Sequence, residues 1–579
     1  MAKRKALQDE APTSLDPESE AWRVLPWKKF HRHVYRIQKR IYQASQHGNT
    51  RKVQKLQKLL MKSEAARLLA VRRVTQDNQG KRTAGIDGVK SVKPARRKTL
   101  AHHIHPKHWK HQKSQPVRRV WIPRPGKNEQ RPPGIPTMLN RAKQALAKMA
   151  LEPEWEAVFE ANSYGFRPGR SCLDAKEAIL LDIRYKPEYV LDADIKGCFD
   201  NIDQEKLLDK MHTYAAMRQA VKGWLKAGVL VNEVFTPTAT GTPQGGVVSP
   251  LLANMALHGM EELIAQGFKS YAEKPLMVRY ADDFVIFHSN KETLEEAKRK
   301  VELFLEDMGL YLNARTTRIT HTLTPYEGNV GFDFLGFSVR QHTVGKTHSG
   351  TYKGRPPGFK TLIKPSNEAT KRHTREIKQT LRKYRSHSQE EVIKTLNPKI
   401  FGWAGYYRTS IASVIFTECD AILWKQLMQW SRKRLPNKGS HYAAKQYWRE
   451  VEKRRLVFCT PEGIEIRTHS KTKIERHVKI KGSMSPYDGN LRYWSQRLAD
   501  SPMFYGRVGM LLGKQQGKCQ WCKLTFADED VIEIDHIDQD RSNNDLQNLR
   551  VLHRHCHDER YAKLKEYEER REAIGINHK

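Results

Sequence analysis

From Trp22 to about Val74 the apolar positions recur with a helical period. Phe30, Val34, Ile37 and Ile41 fall at i, i+4, i+7 and i+11, and Val53, Leu56, Leu59 and Leu60 continue the pattern. Lys and Arg fill most of the remaining faces. The stretch "TAGIDG" (83–88) interrupts the run with two glycines and reads as a loop. Residues 117–136, "VRRVWIPRPGKNEQRPPGIP", read as a basic β-hairpin. Two later segments, "YVLDADI" (189–195) and "LMVRYADDFVIF" (276–287), read as strands, with helical stretches between and after them. Strands and helices thus alternate without a regular βαβ period, which predicts an α+β fold. Residues 367–385 and 388–435 read as basic helices rich in aromatic side chains, and 481–505 as an irregular linker. Residues 1–20 are polar and acidic, and are expected to be disordered.

Length and charge narrow the function. A chain of 579 residues corresponds to roughly four domain-sized units. Lys and Arg number 103 against 64 Asp and Glu, a net charge of +39, which predicts a polyanionic partner, with nucleic acid as the default. No apolar run approaches the ~20 residues of a transmembrane helix. The first 22 residues hold no apolar core of signal-peptide length, so no membrane association is expected. Seven cysteines, an odd number scattered over a long chain, point to a reducing compartment.

Two acidic clusters carry the first candidate chemistry. "RYADDFVIF" (279–287) sets Asp282 and Asp283 side by side within an apolar run, where each disfavours ionisation of the other unless a cation or a solvated turn relieves them. In "YVLDADIKGCFD", Asp192 and Asp194 are two apart and share a strand face. Three or four carboxylates converging at neighbouring strand ends would suit Mg²⁺, which takes oxygen ligands and leaves room for substrate phosphates. Spacing alone does not choose between Asp192 and Asp194.

The C-terminal cysteines carry the second. "CQWC" (519–522) and "HRHCH" (553–557) offer Cys519, Cys522, His553 and Cys556, two pairs with two intervening residues each, as a closed structural zinc site. His555 competes with His553, and the spacing favours His553.

The order of motifs then resembles a known family. "IPRPGKNEQRPPGIPT", "NSYGFRPGRSC", "DADIKGCFD", "GTPQGGVVSPLLAN", "YADD", "LYLN" and "GFDFLGF" are similar to the reverse transcriptase palm. "LNPKIFGWAGYYR" (396–408), "WSRKRLPNK" and "RHVKIKGSMSPYDGN" resemble the maturase thumb and following region of bacterial group II intron-encoded proteins. Inside the zinc frame, Asp535, His536, Asn548 and His557 resemble an HNH nuclease motif. The resemblance implies two Mg²⁺ held by Asp194, the backbone carbonyl of Ile195, Asp282 and Asp283. It implies Phe199 as an aromatic gate against the ribose 2′-hydroxyl, and Arg124 and Arg131 as grips on the triphosphate, with Lys127 as a substitute. Gln244 would lie near the nucleotide sugar, flanked by Gly245 and Gly246. In the nuclease, His536 would be the general base, Asp535 and His557 ligands of one divalent ion, and Asn548 an orienting residue.

Two departures stand out. Thr316, in "LNARTT", takes the place of the family's lysine, leaving Arg315 or Arg318 to assist the leaving group. The loop "DQDRSNND" lacks the usual paired glycines and is shortened.

The implied architecture is a multidomain α+β protein: a right-hand-like reverse transcriptase with an antiparallel palm sheet, a helical thumb and a small ββα-metal module. The expected boundaries are 1–20 (tail), 21–115 (helical extension of the fingers), 116–365 (fingers and palm), 366–450 (thumb or maturase domain), 451–510 (DNA-binding or linker region) and 511–579 (nuclease). The implied partners are intron RNA, target DNA and dNTPs, and the implied setting is a bacterial cytoplasm acting at the nucleoid. The alternatives are a splicing cofactor with a silent polymerase, a domesticated reverse transcriptase, a viral RNA polymerase, and a zinc module that binds DNA without cutting it. Intact Asp194, Asp282 and Asp283 argue against a silent polymerase.

Overall fold

A computed structural model describes residues 21–573 apart from 79, 81–82, 124–129, 232–233, 271–272, 346–348, 350, 353, 452–454, 505 and 528–529. The N-terminal helical pattern resolves into three helices, α1 (Trp27–Gln46), α2 (Thr50–Lys62) and α3 (Glu64–Arg72). Gly48, with φ +64, turns the chain between the first two, and Asn49 then caps α2 by accepting from the Lys52 N–H at 3.0 Å. The long helix α4 (Met138–Glu156) packs against α1: Gln38 Nε2 donates to the Met149 carbonyl at 3.0 Å, and Ser45 Oγ to that of Glu154 at 2.9 Å. Helix α5 (Cys172–Ile183) starts with a full capping box between Ser171 and Asp174.

The central sheet contains β1 (Tyr189–Asp194), β2 (Leu276–Tyr280), β3 (Asp283–His288) and β4 (Arg318–His321), in the order β4-β1-β3-β2 and antiparallel throughout. Both of its faces are buried. Leu191, Ala193, Phe284 and Ile286 join the core of α1, α3 and α4. Val190, Val285 and Phe287 join a second core with Phe332, Phe337 and Tyr407. This double burial explains why β1 and β3 read as near-continuous apolar runs.

The expected basic hairpin is present as paired strands, Ile122 opposite Arg131 and Pro123 opposite Gln130, its tip lying outside the described residues. Beside it, Val117–Arg119 pairs with Gly134–Ile135 antiparallel and with Val229–Val231 parallel. A three-stranded antiparallel sheet (Phe332–Phe334, Phe337–Thr343, Phe359–Pro365) bridges the second core to the following helices.

Those helices are α6 (Asn367–Lys383), α7 (Gln389–Tyr407) and α8 (Ser413–Arg434). The 388–435 stretch, read as one helix, is therefore two. The break is held from outside: the Ile411 N–H donates to the Ile363 carbonyl at 2.9 Å, and Lys176 Nζ to that of Thr409 at 2.6 Å. The segment read as a linker contains a helix, Leu491–Ala499, and is packed rather than loose. Trp494 fills the space beside Gly169, and Arg170 donates to the Gly482 carbonyl at 3.0 Å. The C-terminal module is a hairpin of β5 (Ile532–His536) and β6 (Leu549–His553), followed by α9 (Arg554–Ala573). No helix among the described residues is long and apolar enough to cross a membrane.

Candidate active sites

Along one face of β1 the side chains run Val190, Asp192, Asp194, so the apolar cover gives way to acid at the strand's end. Asp194 lies directly opposite Asp283, the first residue of β3, which puts the two Cβ atoms ~5 Å apart on the same face. Tyr280 pairs with Asp283, so Ala281 and Asp282 form a two-residue turn. Ala281 holds φ +60, a left-handed conformation that costs an alanine ~1 kcal/mol or more. Gly165 packs so closely that an added Cβ would overlap the Ala281 nitrogen. The turn thus aims two carboxylates outward while neighbours clamp its backbone.

The two aspartates of β1 have different surroundings. Asp192 faces Arg318 across the β1–β4 pairing, with Oδ2 3.3 Å from Nη2. Burial, partly offset by Arg318, raises the Asp192 carboxyl to about 6. Asp194 instead accepts from Asn313 Nδ2 at 3.2 Å, while its carbonyl takes the Asn313 N–H at 2.8 Å. Bonds from Asn313 to Asp194 and from Lys196 to Tyr311 (3.0 Å) flank the Ile195–Leu312 bridge. In such a pair Ile195's own carbonyl points to the opposite side, toward β3. Asp194, Asp282, Asp283 and that carbonyl therefore lie at one end of the sheet. They form an open acidic edge rather than a cage. That fits Mg²⁺, which binds through few carboxylates and keeps positions for phosphate oxygens.

The C-terminal site is closed. Cys519, Cys522, His553 and Cys556 are all buried, and their ligand atoms lie within 4.8 Å of one another, a Cys₃His donor set compatible with zinc. His553 Nε2 also lies 3.3 Å from Asp530, the kind of carboxylate support that orients a ligating imidazole. On the adjoining face, His557 Nδ1 is 3.2 Å from Glu533 and its Nε2 is 3.8 Å from Asp535 Oδ1. Both oxygens of Asp535 are engaged, Oδ2 by Arg550 Nε and Oδ1 by Arg560 Nη1, each at 2.7 Å. Asn548 ties the intervening loop together, donating to Asp538 at 2.8 Å and to the Asn543 carbonyl at 2.9 Å. His536 points to the other face of β5, and its Nε2 is buried with no hydrogen-bond partner among the described residues.

Comparison with known proteins agrees in segment order. Residues 22–104 match the N-terminal domain of reverse transcriptase, and 122–339 the reverse transcriptase (RNA-dependent DNA polymerase) family. Residues 370–448 match the group II intron maturase-specific domain, and 519–563 the HNH endonuclease family. The chain carries the domains of a group II intron reverse transcriptase and maturase with an HNH module.

Group II intron-encoded protein LtrA of Lactococcus lactis subsp. cremoris is 30% identical over 369 residues, 51% of this chain and 60% of the relative. Protein YkfC of Escherichia coli K12 is 29% identical over 49% of this chain and 82% of its own length. An uncharacterized 91 kDa protein in the cob intron of Schizosaccharomyces pombe is 26% identical over 44% of this chain. The matched stretch thus spans less than two thirds of the Lactococcus protein.

Within the reverse transcriptase segment, Phe199 sits in the short helix Cys198–Asn201, with its ring edge toward Phe166 (centroids 6.1 Å apart). Gln244 reaches the same helix by donating to Asp200 at 2.9 Å, and its carbonyl accepts from the Gly134 N–H at 2.5 Å. At Gly245, with φ +102, a Cβ would press on the Gly134 carbonyl at 2.8 Å. The loop is thereby fastened between the small sheet and the carboxylate end. Arg124 and Lys127 lie outside the described residues; for Arg131 only the backbone pairing is described. Thr316 is exposed and its N–H donates to the Asn313 carbonyl at 3.0 Å. Arg318 is held by Asp192, which leaves Arg315 as the exposed cation on this turn.

In the maturase segment the aromatic residues pack. Trp403 stacks on His373 (4.5 Å, 7°), and the hydroxyls of Tyr406 and Tyr407 donate to the carbonyls of Leu335 (2.9 Å) and Gly336 (3.2 Å). Sequence reasoning missed Glu533, although its position two before Asp535 on one strand was the signal. It also missed Arg279 and Asn313, whose roles depend on partners remote in sequence.

Proposed function

We propose that the chain copies RNA into DNA, assists folding and splicing of its intron RNA, and nicks target DNA, so that the nicked end primes reverse transcription. In this reading residues 21–115 and 116–365 form the fingers and palm and 366–450 the maturase thumb. Residues 451–510 form the DNA-binding or linking region and 511–579 the ββα nuclease. A bacterial cytoplasm, acting at the nucleoid, is the setting this role implies. The observation that carries the reading is the direct opposition of Asp194 and Asp283 beside Asp282 in a strained turn. Two Mg²⁺ bound by Asp194, the Ile195 carbonyl, Asp282 and Asp283 would supply charge stabilisation at the attacking and leaving oxygens.

The chain's own residues orient the reaction. The primer 3′-oxygen bonds to the α-phosphorus of the dNTP as the bond to pyrophosphate breaks. Phe199 excludes a 2′-hydroxyl, Gln244 borders the sugar, and Arg124 and Arg131 hold the triphosphate as planar donors. Arg315 is the cation beside the departing pyrophosphate, and it stabilises charge without giving up a proton. In the nuclease, His536 is the general base for the attacking water, Asn548 fixes the loop, and Asp535 and His557 would hold the divalent ion. The +39 net charge favours phosphate contact with intron RNA and target DNA.

The purified full-length chain should extend a DNA primer on an RNA template with dNTPs and Mg²⁺. Persistence of extension after the double change Asp282→Ala and Asp283→Ala would sink the site assignment. A second reading, a zinc-framed module that binds DNA without cutting, is favoured by the two arginines on Asp535 and by the shortened loop. His536→Ala separates the two: nicking disappears while extension continues if the module cuts, and neither changes if it only binds.

A further inference from the structure

The first turn of α9 meets residues of the amino-terminal helices that lie 486 positions away in sequence. Arg72, at the end of α3 and 2% exposed, reaches Asp558 (Nη2–Oδ2 3.2 Å) and Asp77 (Nε–Oδ2 3.4 Å), with its guanidinium 4.7 Å above the Trp27 ring. Gln76 Nε2 donates to the same Asp558 oxygen at 3.1 Å, while its own oxygen accepts from Trp22 Nε1 and Arg97 Nη1, both at 3.1 Å. One turn earlier on α9, His555 stacks on His31 of α1, with centroids 4.7 Å apart and planes 18° from parallel.

Gln76 and Asp77 belong to a π-helical turn, Arg73–Asp77, that ends α3. Such wide turns are rare, and they cluster where a protein must re-aim side chains for function. Here the turn aims Gln76 at α9 and Asp77 at Arg72, the residue that grips Asp558. Buried charges of this kind are costly to leave half paired, so the contact favours one seating of the module over a loose range.

The seat belongs to the polymerase body. Trp27, Leu69 and Val71 lie in one continuous core with Leu151, Leu191 and Ile286, the last two on the inner face of the carboxylate sheet. From the nuclease side, His555 and Asp558 flank His557, and Cys556 of the zinc frame lies between them.

We propose that the N-terminal helices, through His31, Arg72 and Gln76, are a dock that holds the nuclease module at a fixed position relative to Asp194, Asp282 and Asp283. A strand nicked at one site is then presented to the other without leaving the protein. The proposal rests on the two-activity reading above.

The test uses the full-length protein assembled with its intron RNA, on a supercoiled plasmid carrying the joined flanks of that intron. Asp558→Lys and, separately, His31→Glu are compared with the unaltered chain by nicking, by extension of a pre-annealed primer, and by extension from the nick in one reaction. Hydrogen exchange of residues 73–77 reports the dock directly. Both variants should keep nicking and pre-annealed extension within about twofold, expose residues 73–77 to exchange, and lower extension from the nick by about tenfold, because a held end acts at a high effective concentration. Unchanged coupled extension despite faster exchange would overturn the proposal, as would unchanged exchange in both variants. Lack of nicking or extension in the unaltered protein would instead overturn the two-activity reading, while exchange still judges the dock.

Discussion

Arg279 stands one residue before Tyr280 and is 2% exposed, yet it carries a full charge. Its Nη1 donates to Asn254 Oδ1 at 3.1 Å and to the Ala281 carbonyl at 3.3 Å, and its Nη2 lies 3.8 Å from Glu160. Asn254 in turn donates to the Gly165 carbonyl at 2.8 Å, so both segments that shape the turn hang on this pair. The turn that carries Asp282 and Asp283 is thus held from behind, by a guanidinium bonded to the Ala281 carbonyl. Arg279→Met should cost less than the ~3–5 kcal/mol of a fully orphaned buried charge, since Glu160 keeps His258 at 3.0 Å and the Gly259 N–H at 2.5 Å. Arg279→Lys should keep the charge but not the forked donors, raising the Mg²⁺ concentration needed for half-maximal extension more than the dNTP KM. Equal Mg²⁺ dependence in the Lys variant and the unaltered enzyme would refute that positioning role.

Glu160 gives the pH dependence. Burial alone would raise its carboxyl, but His258 and Arg279 outweigh burial and hold it at about 2 against an ordinary 4.5. A depressed acid stabilises the fold above its unfolded value and loses that contribution as pH falls. Between about pH 4.5 and 2 the protein should therefore lose up to ~3 kcal/mol from this group, and Glu160→Gln should flatten that part of a denaturation profile. None of this was legible in the sequence, because Glu160, Asn254 and Arg279 are far apart along the chain. The Asp282–Asp283 pair was legible from its local pattern. Spacing alone did not separate Asp194 from Asp192; the family resemblance implied Asp194, and the structure adds that Arg318 pairs with Asp192 across a strand.

Elements differ in how far their own sequences specify them. The period of α1 and α2 is plain in their apolar positions, whereas the break between α7 and α8 depends on the Ile363 carbonyl and Lys176 of other elements. The zinc frame is the clearest case of local encoding, because ligand type and spacing define the site before any packing is known. The described C-terminal core is small, built from residues such as Leu511, Leu512, Phe526, Leu549 and Val551 around the cysteines. A core of this size would lean on a metal bound by the Cys₃His set, so chelation should unfold the module while leaving the central sheet intact. Elemental analysis should find one zinc per chain. Chelation, or Cys522→Ser, should speed hydrogen exchange across β5, β6 and α9 but not across β1 and β3. Unchanged exchange in the module after complete zinc removal would contradict a structural metal.

At the scale of the whole molecule, the segment after the maturase helices works as a strap, and its partners explain why it looked like a linker. It has little periodic pattern because its order comes from single polar contacts with distant elements. Asp174, fully buried at the start of α5, gathers most of them. Its Oδ1 accepts from His477 Nε2 (3.0 Å), the Ile480 N–H (2.8 Å) and Arg497 Nη2 (2.6 Å), while Oδ2 accepts from the Ser171 N–H (2.9 Å) and hydroxyl (2.8 Å). These partners hold its carboxyl well below the usual range, although burial pushes the other way. Farther along, Tyr35 donates to the Pro486 carbonyl at 3.1 Å and Tyr487 to Glu152 at 2.7 Å, carrying the strap to α1 and α4. Asp174→Ala removes the acceptor for Arg497, His477 and a helix cap at once, so it should destabilise the protein by ~3–5 kcal/mol. Asp174→Asn should cost less, keeping the size and one acceptor. In both variants the first new tryptic cuts should fall within residues 470–500, after Lys and Arg that the strap now protects. If cuts appear first in the central sheet instead, Asp174 supports α5 alone and the strap is held by its other contacts.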